Sequence, residues 1–210
     1  PGRPPDDRPR AGRRRAGSIN GGNLDERAKL RRNDRAADED WIREFLHESA
    51  VGVLATVHGD QPFVNSNIFV YDEDRHAIYL HTARTGRTRD NVEAFAKAAF
   101  TVYETGRLLP ADEALEFSIE YGGVVVFGAA TVVEDPEEAE FGLQLLLDKY
   151  APHLEPGRDY RPITASELKR TSVFRLDIES WSGKRKYEKP DFPGAYLYEE
   201  RERLAAESAD

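Results

Sequence analysis

The residues best suited to chemistry are gathered in His81-Thr82-Ala83-Arg84-Thr85-Gly86-Arg87-Thr88-Arg89, where a β-type run gives way to a helical one. Free amides at a helix start attract an anion. Thr82, Thr85 and Thr88 add hydroxyl donors, and Arg87 can grip a phosphate through paired charge-assisted bonds. Cations at a helix start are otherwise mildly unfavourable, so the pattern is either an anion site or a solvated loop with incidental arginines. A second candidate, Asn65-Ser66-Asn67-Ile68-Phe69, places two asparagines in a strand, against their propensity. They bind a ring system with alternating donors and acceptors, or they mark a bulge. A third, Trp181-Ser182-Gly183-Lys184-Arg185-Lys186, sets a tryptophan and clustered cations directly after the last strand. That combination suits a planar ligand carrying negative charge, or it is simply a basic surface.

Hydrophobic periodicity supplies the elements that must hold these groups. Asp38 caps a helix whose Trp41, Ile42, Phe45, Leu46 and Ser49 share one face. Strand-like runs follow at Val51–Val57, Pro62–Tyr71 and His76–Thr82, separated by the turn signals His58-Gly59-Asp60 and Asp72-Glu73-Asp74. Arg87–Lys97 reads as a short helix and Ala99–Tyr103 as a strand; Gly106–Glu116 reads as a loop or short helix. Tyr121–Glu134 carries a long β run in which Gly128 marks a bulge or bend. Asp135-Pro136-Glu137-Glu138 is a helix start, Thr164-x-x-Glu167 repeats the capping box, and Val173–Glu179 is the last alternating strand. Hairpin-linked strands with helices at the edges predict a mainly β protein, an antiparallel barrel with added helices.

Composition narrows the function classes. Of 210 residues, 39% are hydrophobic and 33% charged, enough for one core beneath a strongly solvated surface. No stretch approaches the roughly 18 apolar residues of a membrane span. No secretory leader is visible, which makes a cytoplasmic location the expectation. Cysteine is absent, which removes thiolate nucleophiles, disulfides and Cys-ligated zinc. His47, His58, His76, His81 and His153 show no metal-ligand spacing, so no metal is expected. Net charge is −9, yet residues 1–35 form an Arg-, Gly- and Pro-rich basic arm containing Arg13, Arg14 and Arg15. A disordered or partner-draped arm is favoured over nucleic-acid binding, because the acidic body repels phosphates. The expected layout is this arm, a domain over 36–190 and a tail over 191–210.

From about Ala36 to Lys186 the chain resembles the pyridoxamine 5′-phosphate oxidase-like split-barrel superfamily, most closely its nitroimidazole-resistance (Nim-type) flavin-nucleotide-binding branch. The resemblance rests on Trp41–Leu46 with Gly52-Val53-Leu54-Ala55-Thr56, Gln61-Pro62-Phe63, Phe69-Val70-Tyr71 and Ile78-Tyr79-Leu80-His81-Thr82-Ala83. It continues through Gly106-Arg107-Leu108-Leu109-Pro110-Ala111, Glu120-Tyr121, Val126-Phe127-Gly128, Asp148-Lys149-Tyr150, Gly157-Arg158-Asp159-Tyr160 and Trp181-Ser182-Gly183-Lys184. It implies a split barrel of about six strands, and a homodimer with FMN at the subunit interface. In that arrangement Asn65, Ser66, Asn67 and Ile68 run along the flavin ring, and His81, Thr82, Thr85, Gly86 and Arg87 hold the phosphate side. Trp181 and Lys184 approach from late in the chain, often from the other subunit. The family's pyridoxamine-phosphate contacts are not recognisable here. The implied activity is a flavin-dependent oxidoreductase acting on a small molecule, with nitroaromatic reduction as the branch's indication. Lys184 or Arg185 would then stabilise negative charge on the flavin, and His81 is the candidate catalytic hydrogen-bond donor or, alternatively, a structural barrel-wall histidine. The other class of function is a non-catalytic carrier or sensor of flavin or haem, with FAD, deazaflavin or haem in place of FMN. His81 or His153 would be the haem ligand.

Overall fold

A computed structural model describes residues 26–207 of the chain. Seven strands form one antiparallel sheet in the order β2-β1-β5-β6-β7-β4-β3: β1 (Gly52–His58), β2 (Gln61–Asn67), β3 (Val70–Asp72), β4 (Ala77–Ala83), β5 (Lys97–Leu109), β6 (Ser118–Val132) and β7 (Thr171–Lys186). The helices are α1 (Glu39–Glu48), α2 (Arg87–Ala94), α3 (Pro136–Tyr150), α4 (Ala165–Leu168) and α5 (Arg201–Glu207). The caps expected from sequence are in place. Asp38 accepts from the Trp41 amide at 2.9 Å, Asp135 accepts from that of Glu138 at 3.1 Å, and Thr164 with Glu167 closes a capping box. Among the described residues no helix is long and apolar enough to cross a membrane.

The sheet curls around one core that contains Leu54, Phe69, Ile78, Leu80, Phe100, Val102, Val124, Val126, Phe174 and Leu176, with Ile42, Phe45 and Leu46 of α1 and Val92 of α2 packed among them. A second cluster lies outside the sheet, where α3 covers Val70, Ala77, Tyr79 and Val173. β4 is therefore buried on both faces, Ile78 and Leu80 inward and Ala77 and Tyr79 beneath α3. Gly142 permits that approach, since a Cβ there would lie 2.8 Å from the Tyr79 ring.

The two end strands of the sheet, β2 and β3, are consecutive in the chain but not paired, and this is where the barrel is split. The run expected as one strand over Pro62–Tyr71 breaks at Ile68-Phe69 because the chain there crosses from one end of the sheet to the other. Tyr150 holds the crossing: its hydroxyl accepts from the Phe69 amide at 3.0 Å and lies 2.9 Å from the Phe69 carbonyl and 2.6 Å from that of Ala50. Beside it Lys149 Nζ donates to Ser49 O at 2.7 Å and Leu46 O at 3.3 Å, closing the end of α1. Burial lowers the Lys149 pKa to about 8.

Three further expectations are corrected. Gly106–Glu116, expected as a loop or short helix, has a short 3-10 helix at Ala114–Glu116, but its first part is strand: β5 runs on to Leu109, since β6 pairs with it past a register shift between Thr105 and Leu108. The last strand does not end at Glu179 but at Lys186. A shift in the β6–β7 register at Phe127/Gly128, the expected bulge, interrupts the alternation without ending the pairing. Trp181–Lys186 is consequently part of a strand. Of the basic arm, residues 1–25 lie outside the described residues, whereas 26–37 form two 3-10 turns against β6 and β7, with Ala28 buried and Ala37 N–H bonded to Gly183 O at 2.9 Å. In the tail, Tyr196 exchanges backbone bonds with Leu108 at 2.7 and 3.2 Å.

Tyr150→Phe removes the one group that satisfies the buried Phe69 amide. It is expected to lower stability by about 1–3 kcal/mol, read as a drop in the urea midpoint at constant slope. An unchanged midpoint would show that the split holds without this hydroxyl.

Candidate functional site

The strand-to-helix loop is pinned at its start. The Arg84 amide donates to Arg170 O at 3.1 Å, and Ser172 Oγ donates to Arg84 O at 3.1 Å. Gly86 then precedes α2 with φ 145°, a conformation that L side chains rarely adopt, and provides no side-chain cap. The first-turn amides of α2 therefore retain their donor capacity. Thr82 is turned to its own strand, donating to Ala83 O at 2.9 Å, and Thr85 is exposed.

The arginines separate by their partners. Arg89 is drawn to Glu134 at 2.6 Å, Glu93 at 2.7 Å and Ser172 at 3.0 Å. Arg84 leans toward Glu134 at 3.7 Å. Arg87 meets no carboxylate among the described residues; its exposed guanidinium lies over the Phe63 ring, 5.4 Å from the centroid.

Side chains of β2 reach this helix. Asn65 Nδ2 donates to Thr88 Oγ1 at 3.2 Å, and Asn67 Nδ2 turns back to Asn65 O at 3.1 Å. Asn91, fully buried, donates to Thr56 Oγ1 at 2.9 Å, and its Oδ1 has no partner among the described residues. Asn91 ends the candidate segment that the sequence marks from His81, but Thr56 is not recognisable as a site residue from sequence; their contact is visible only once the helix is docked. Ser66 lies on the opposite, exposed face and Ile68 at the crossing, 42% exposed. Because β2 is an edge strand, half of its backbone N–H and C=O groups point to an open side.

His81 pairs across β4–β7 with Val173 and lies on the face of Tyr79. Tyr79 does not line an open pocket with it. Its ring is fully buried and its hydroxyl is tied to Glu138 at 2.8 Å and Arg75 at 3.1 Å. His81 is half-buried, its Nδ1 has no partner among the described residues, and burial lowers its pKa, which favours the neutral ring.

Trp181 and Lys184 are not brought to this loop within one chain. Trp181 lies eight positions beyond Val173 on β7, roughly 26 Å along a strand rising ~3.3 Å per residue. Its ring packs at 4.6 Å from His76 and 5.8 Å from Tyr71, and Arg43 lies over it at 5.5 Å. His76 is more than a surface histidine: it adopts φ 50° and its Nδ1 sits 3.2 Å from the Tyr71 hydroxyl. Lys184 Nζ lies 5.3 Å over the Tyr121 ring. The register places Lys184 on the outer sheet face with Tyr103, Val125 and Val64, which are 73%, 37% and 62% exposed.

The end of β7 is held by a pair whose residues the sequence presents only within longer motifs. Arg107 grips the buried Glu120 carboxylate through Nε and Nη2 at 2.9 and 2.6 Å and donates to the carbonyls of Glu188, Lys189 and Pro190. Glu120 also accepts from the Glu188 amide at 2.8 Å. The guanidinium bonds lower the Glu120 pKa to about 2.

Residues 38–185 match the family model described as pyridoxamine 5′-phosphate oxidase. The chain belongs to that family. No curated protein matches it in sequence. Among solved structures, this pyridoxamine 5′-phosphate oxidase family member is similar to the flavocytochrome Anf3 from Azotobacter vinelandii, with TM-score 0.69 and 22% identity over 85% of this chain and 80% of that one. It is also similar to the FAD and haem binding protein from Mycobacterium smegmatis, with TM-score 0.65 and 22% identity over 82% and 80%. A third is a candidate 5-nitroimidazole antibiotic resistance protein from Bacteroides thetaiotaomicron, with TM-score 0.60 and 15% identity over 71% and 86%. These likenesses establish the split-barrel fold.

Glu120 takes up its proton near pH 4.5 when unfolded but only near pH 2 when folded. Its contribution is thus complete above pH 4.5 and is lost as pH falls toward 2. Urea midpoints measured across that window are expected to fall more steeply for the wild type than for Glu120→Gln, and parallel curves would remove the pair from the acid response.

Proposed function

We propose that this chain binds a flavin nucleotide, FMN, and acts as a homodimeric oxidoreductase on small molecules, with nitroaromatic compounds as the first class to assay. The observation that carries the reading is Arg87, an arginine without a carboxylate partner among the described residues, beside an uncapped helix start and an open strand edge. A phosphate fits there: the α2 amides and Arg87 supply the donors, while Glu134 holds Arg84 and Arg89 aside. The backbone edge of Asn65–Ile68 offers alternating donors and acceptors to a planar ring, and the Asn65–Thr88 bond keeps edge and helix in register.

When bound, the flavin would supply the electron transfer, which no side chain of this cysteine-free protein provides. The protein's part is positioning. His81, with its ring neutral and one nitrogen unpartnered, is available to donate to a developing anion on a substrate. Lys184 stands on the outer face, where it would bring positive charge to the flavin of a second copy. The apolar face containing Val64, Tyr103 and Val125, uncovered among the described residues, is the surface on which that copy would dock.

A second reading, haem binding in place of or beside flavin, is favoured by the same unpartnered, neutral His81, since metal ligation needs a deprotonated ring nitrogen. His153, the other candidate, is exposed. Two of the similar structures are a flavocytochrome and an FAD and haem binding protein.

The protein as purified is expected to show flavin absorbance, and released flavin per subunit should fall at least several-fold in Arg87→Ala and little in Arg84→Ala. Equal retention would take Arg87 out of the site, and a Soret band without flavin bands would replace the first reading by the second. Val125→Glu is expected to convert dimer to monomer by sedimentation and to lower bound flavin with it. A dimer that tolerates the charge would place the interface elsewhere.

A further inference from the structure

Among the described residues, His76 is the one non-glycine with a positive φ, 50°, in the turn 73–76 between β3 and β4. A histidine enters the left-handed region less readily than glycine, so its contacts must hold it there. The backbone does part of this. Asp72 Oδ1 accepts from the Asp74 and Arg75 amides at 3.2 and 3.4 Å, the His76 amide donates to Glu73 O at 3.2 Å, and the Ile178 amide donates to His76 O at 3.1 Å. The ring does the rest. It stands edge-on to Trp181, 4.6 Å between centroids, and its Nδ1 lies 3.2 Å from the Tyr71 hydroxyl. His76 is exposed at the turn, where solvent protons reach it, whereas Tyr71 is 2% exposed.

The Tyr71–His76 bond has a direction. Burial, with Glu73 nearby, pushes the Tyr71 pKa up to about 12, so the hydroxyl keeps its proton. Arg43, the other polar group at this hydroxyl, can only donate. His76 Nδ1 is thus the one acceptor for the Tyr71 proton among the described residues. The neutral ring takes that bond. A proton on Nδ1 abolishes it and leaves a buried O–H unpaired. The surrounding charges do not reverse this. From α1, Arg43 opposes a second positive charge, while Glu39 and, in the turn, Glu73 favour one; Arg43 already draws on both, at 2.9 and 3.6 Å. His47 of α1 lies 3.7 Å from Glu73. Asp177 and Glu179, which flank Ile178 on β7, are matched by Arg175 and Arg27, each at 2.9 Å. In the turn, Asp72 is 3.9 Å from Arg75, and Asp74 is exposed. Burial first and Arg43 second outweigh Glu39 and Glu73 and hold the His76 pKa below its ordinary value. The unfolded chain therefore takes the proton first. Stability from this ring is full above the ordinary histidine range and is lost as pH falls through it, down to the lower folded-state value.

We propose that His76 is a proton-operated latch, which when neutral pins the β3–β4 turn to Tyr71 and Trp181 and when protonated releases the turn and uncovers the Trp181 ring. The release reaches α3, because the same turn carries Arg75. Its Nη1 donates to the Tyr79 hydroxyl at 3.1 Å, and its guanidinium lies 3.8 Å over the Phe141 ring. The latch does not rest on the flavin reading, since neither His76 nor Tyr71 belongs to the residues assigned to the flavin.

The test follows the full-length protein from about pH 8 to about pH 5, the span in which a histidine titrates. Trp41→Phe leaves Trp181 as the sole tryptophan, so acrylamide quenching of its emission reads the exposure of that ring. Hydrogen exchange across residues 70–80, corrected for its intrinsic pH dependence, reads the turn in the chain without that substitution. Both are expected to rise on acidification, quenching by about twofold or more, with one midpoint below the ordinary histidine value. His76→Asn keeps a residue that accepts the left-handed conformation but takes no proton, and both responses should vanish. Tyr71→Phe removes the donor that favours the neutral ring, so the midpoint should move up toward the ordinary value. That variant decides the matter if His76→Asn fails to fold. His47→Gln should respond as the parent does. A flat parent, a response that survives His76→Asn or is lost in His47→Gln, or an unmoved midpoint in Tyr71→Phe would overturn the proposal. Bound flavin is counted at each pH. The response is expected at constant flavin and in flavin-free protein alike; one that follows flavin release would belong to the flavin site and end the claim of a latch.

Discussion

The sheet of this protein begins and ends on strands that do not pair with each other, and at the crossing between them a side chain does what backbone bonds do elsewhere. The Tyr150 hydroxyl satisfies the Phe69 amide and lies within bonding distance of the carbonyls of Phe69 and Ala50. Lys149, one residue earlier, caps the end of α1. Without such a clamp the crossing at Ile68-Phe69 would leave buried backbone groups unpaired, at about 1–3 kcal/mol each. With it, β2 can be an edge strand whose outer groups remain open. The same device thus stabilises the fold and creates the strand edge on which the candidate site depends.

The site's second requirement is an α2 start held at a fixed height against that edge. Asn65–Thr88 and Thr56–Asn91 join helix to strands through short neutral bonds, one of them fully buried. Neutral bonds suit this place, since a buried charge there would compete with Arg87 for an incoming anion. Glu134 completes the arrangement from the end of β6 by holding Arg84 and Arg89 and leaving Arg87 open. In the structure the three arginines differ by which can reach one glutamate.

Much of this is legible in the residues. The caps at Asp38, Asp135 and Thr164 depend on neighbours within one turn, so their spacing alone places them. The β4 run, the α2 start and the Gly128 irregularity are visible for the same reason. What escapes the sequence is what depends on distant partners. The break at Ile68-Phe69 is enforced by Tyr150, 81 residues away. The extension of β7 through Trp181–Lys186 needs its register with β6, and the reach of β5 past Gly106 needs Ile119 and Ser118 opposite Leu108 and Leu109. At the site, the threonines and Arg87 stand out by type and spacing. Thr56 does not, because a polar residue in a strand means nothing until the helix it faces is known.

The distance between the loop and Trp181–Lys184 carries the last step. Eight positions of β7 separate Trp181 from the partner of His81, so within one chain the two groups lie far apart along the strand. Trp181 is already enclosed by Tyr71, His76 and Arg43, whereas Lys184, half-buried over the Tyr121 ring, lies on the outer sheet face. Lys184 shares its face with Val125 and Tyr103, hydrophobic groups that a monomer would leave in water. A second copy laid on that face would bury them and carry each Lys184 toward the other chain. Under the proposed flavin reading, which draws on both segments, that separation is the strongest physical reason for expecting two copies.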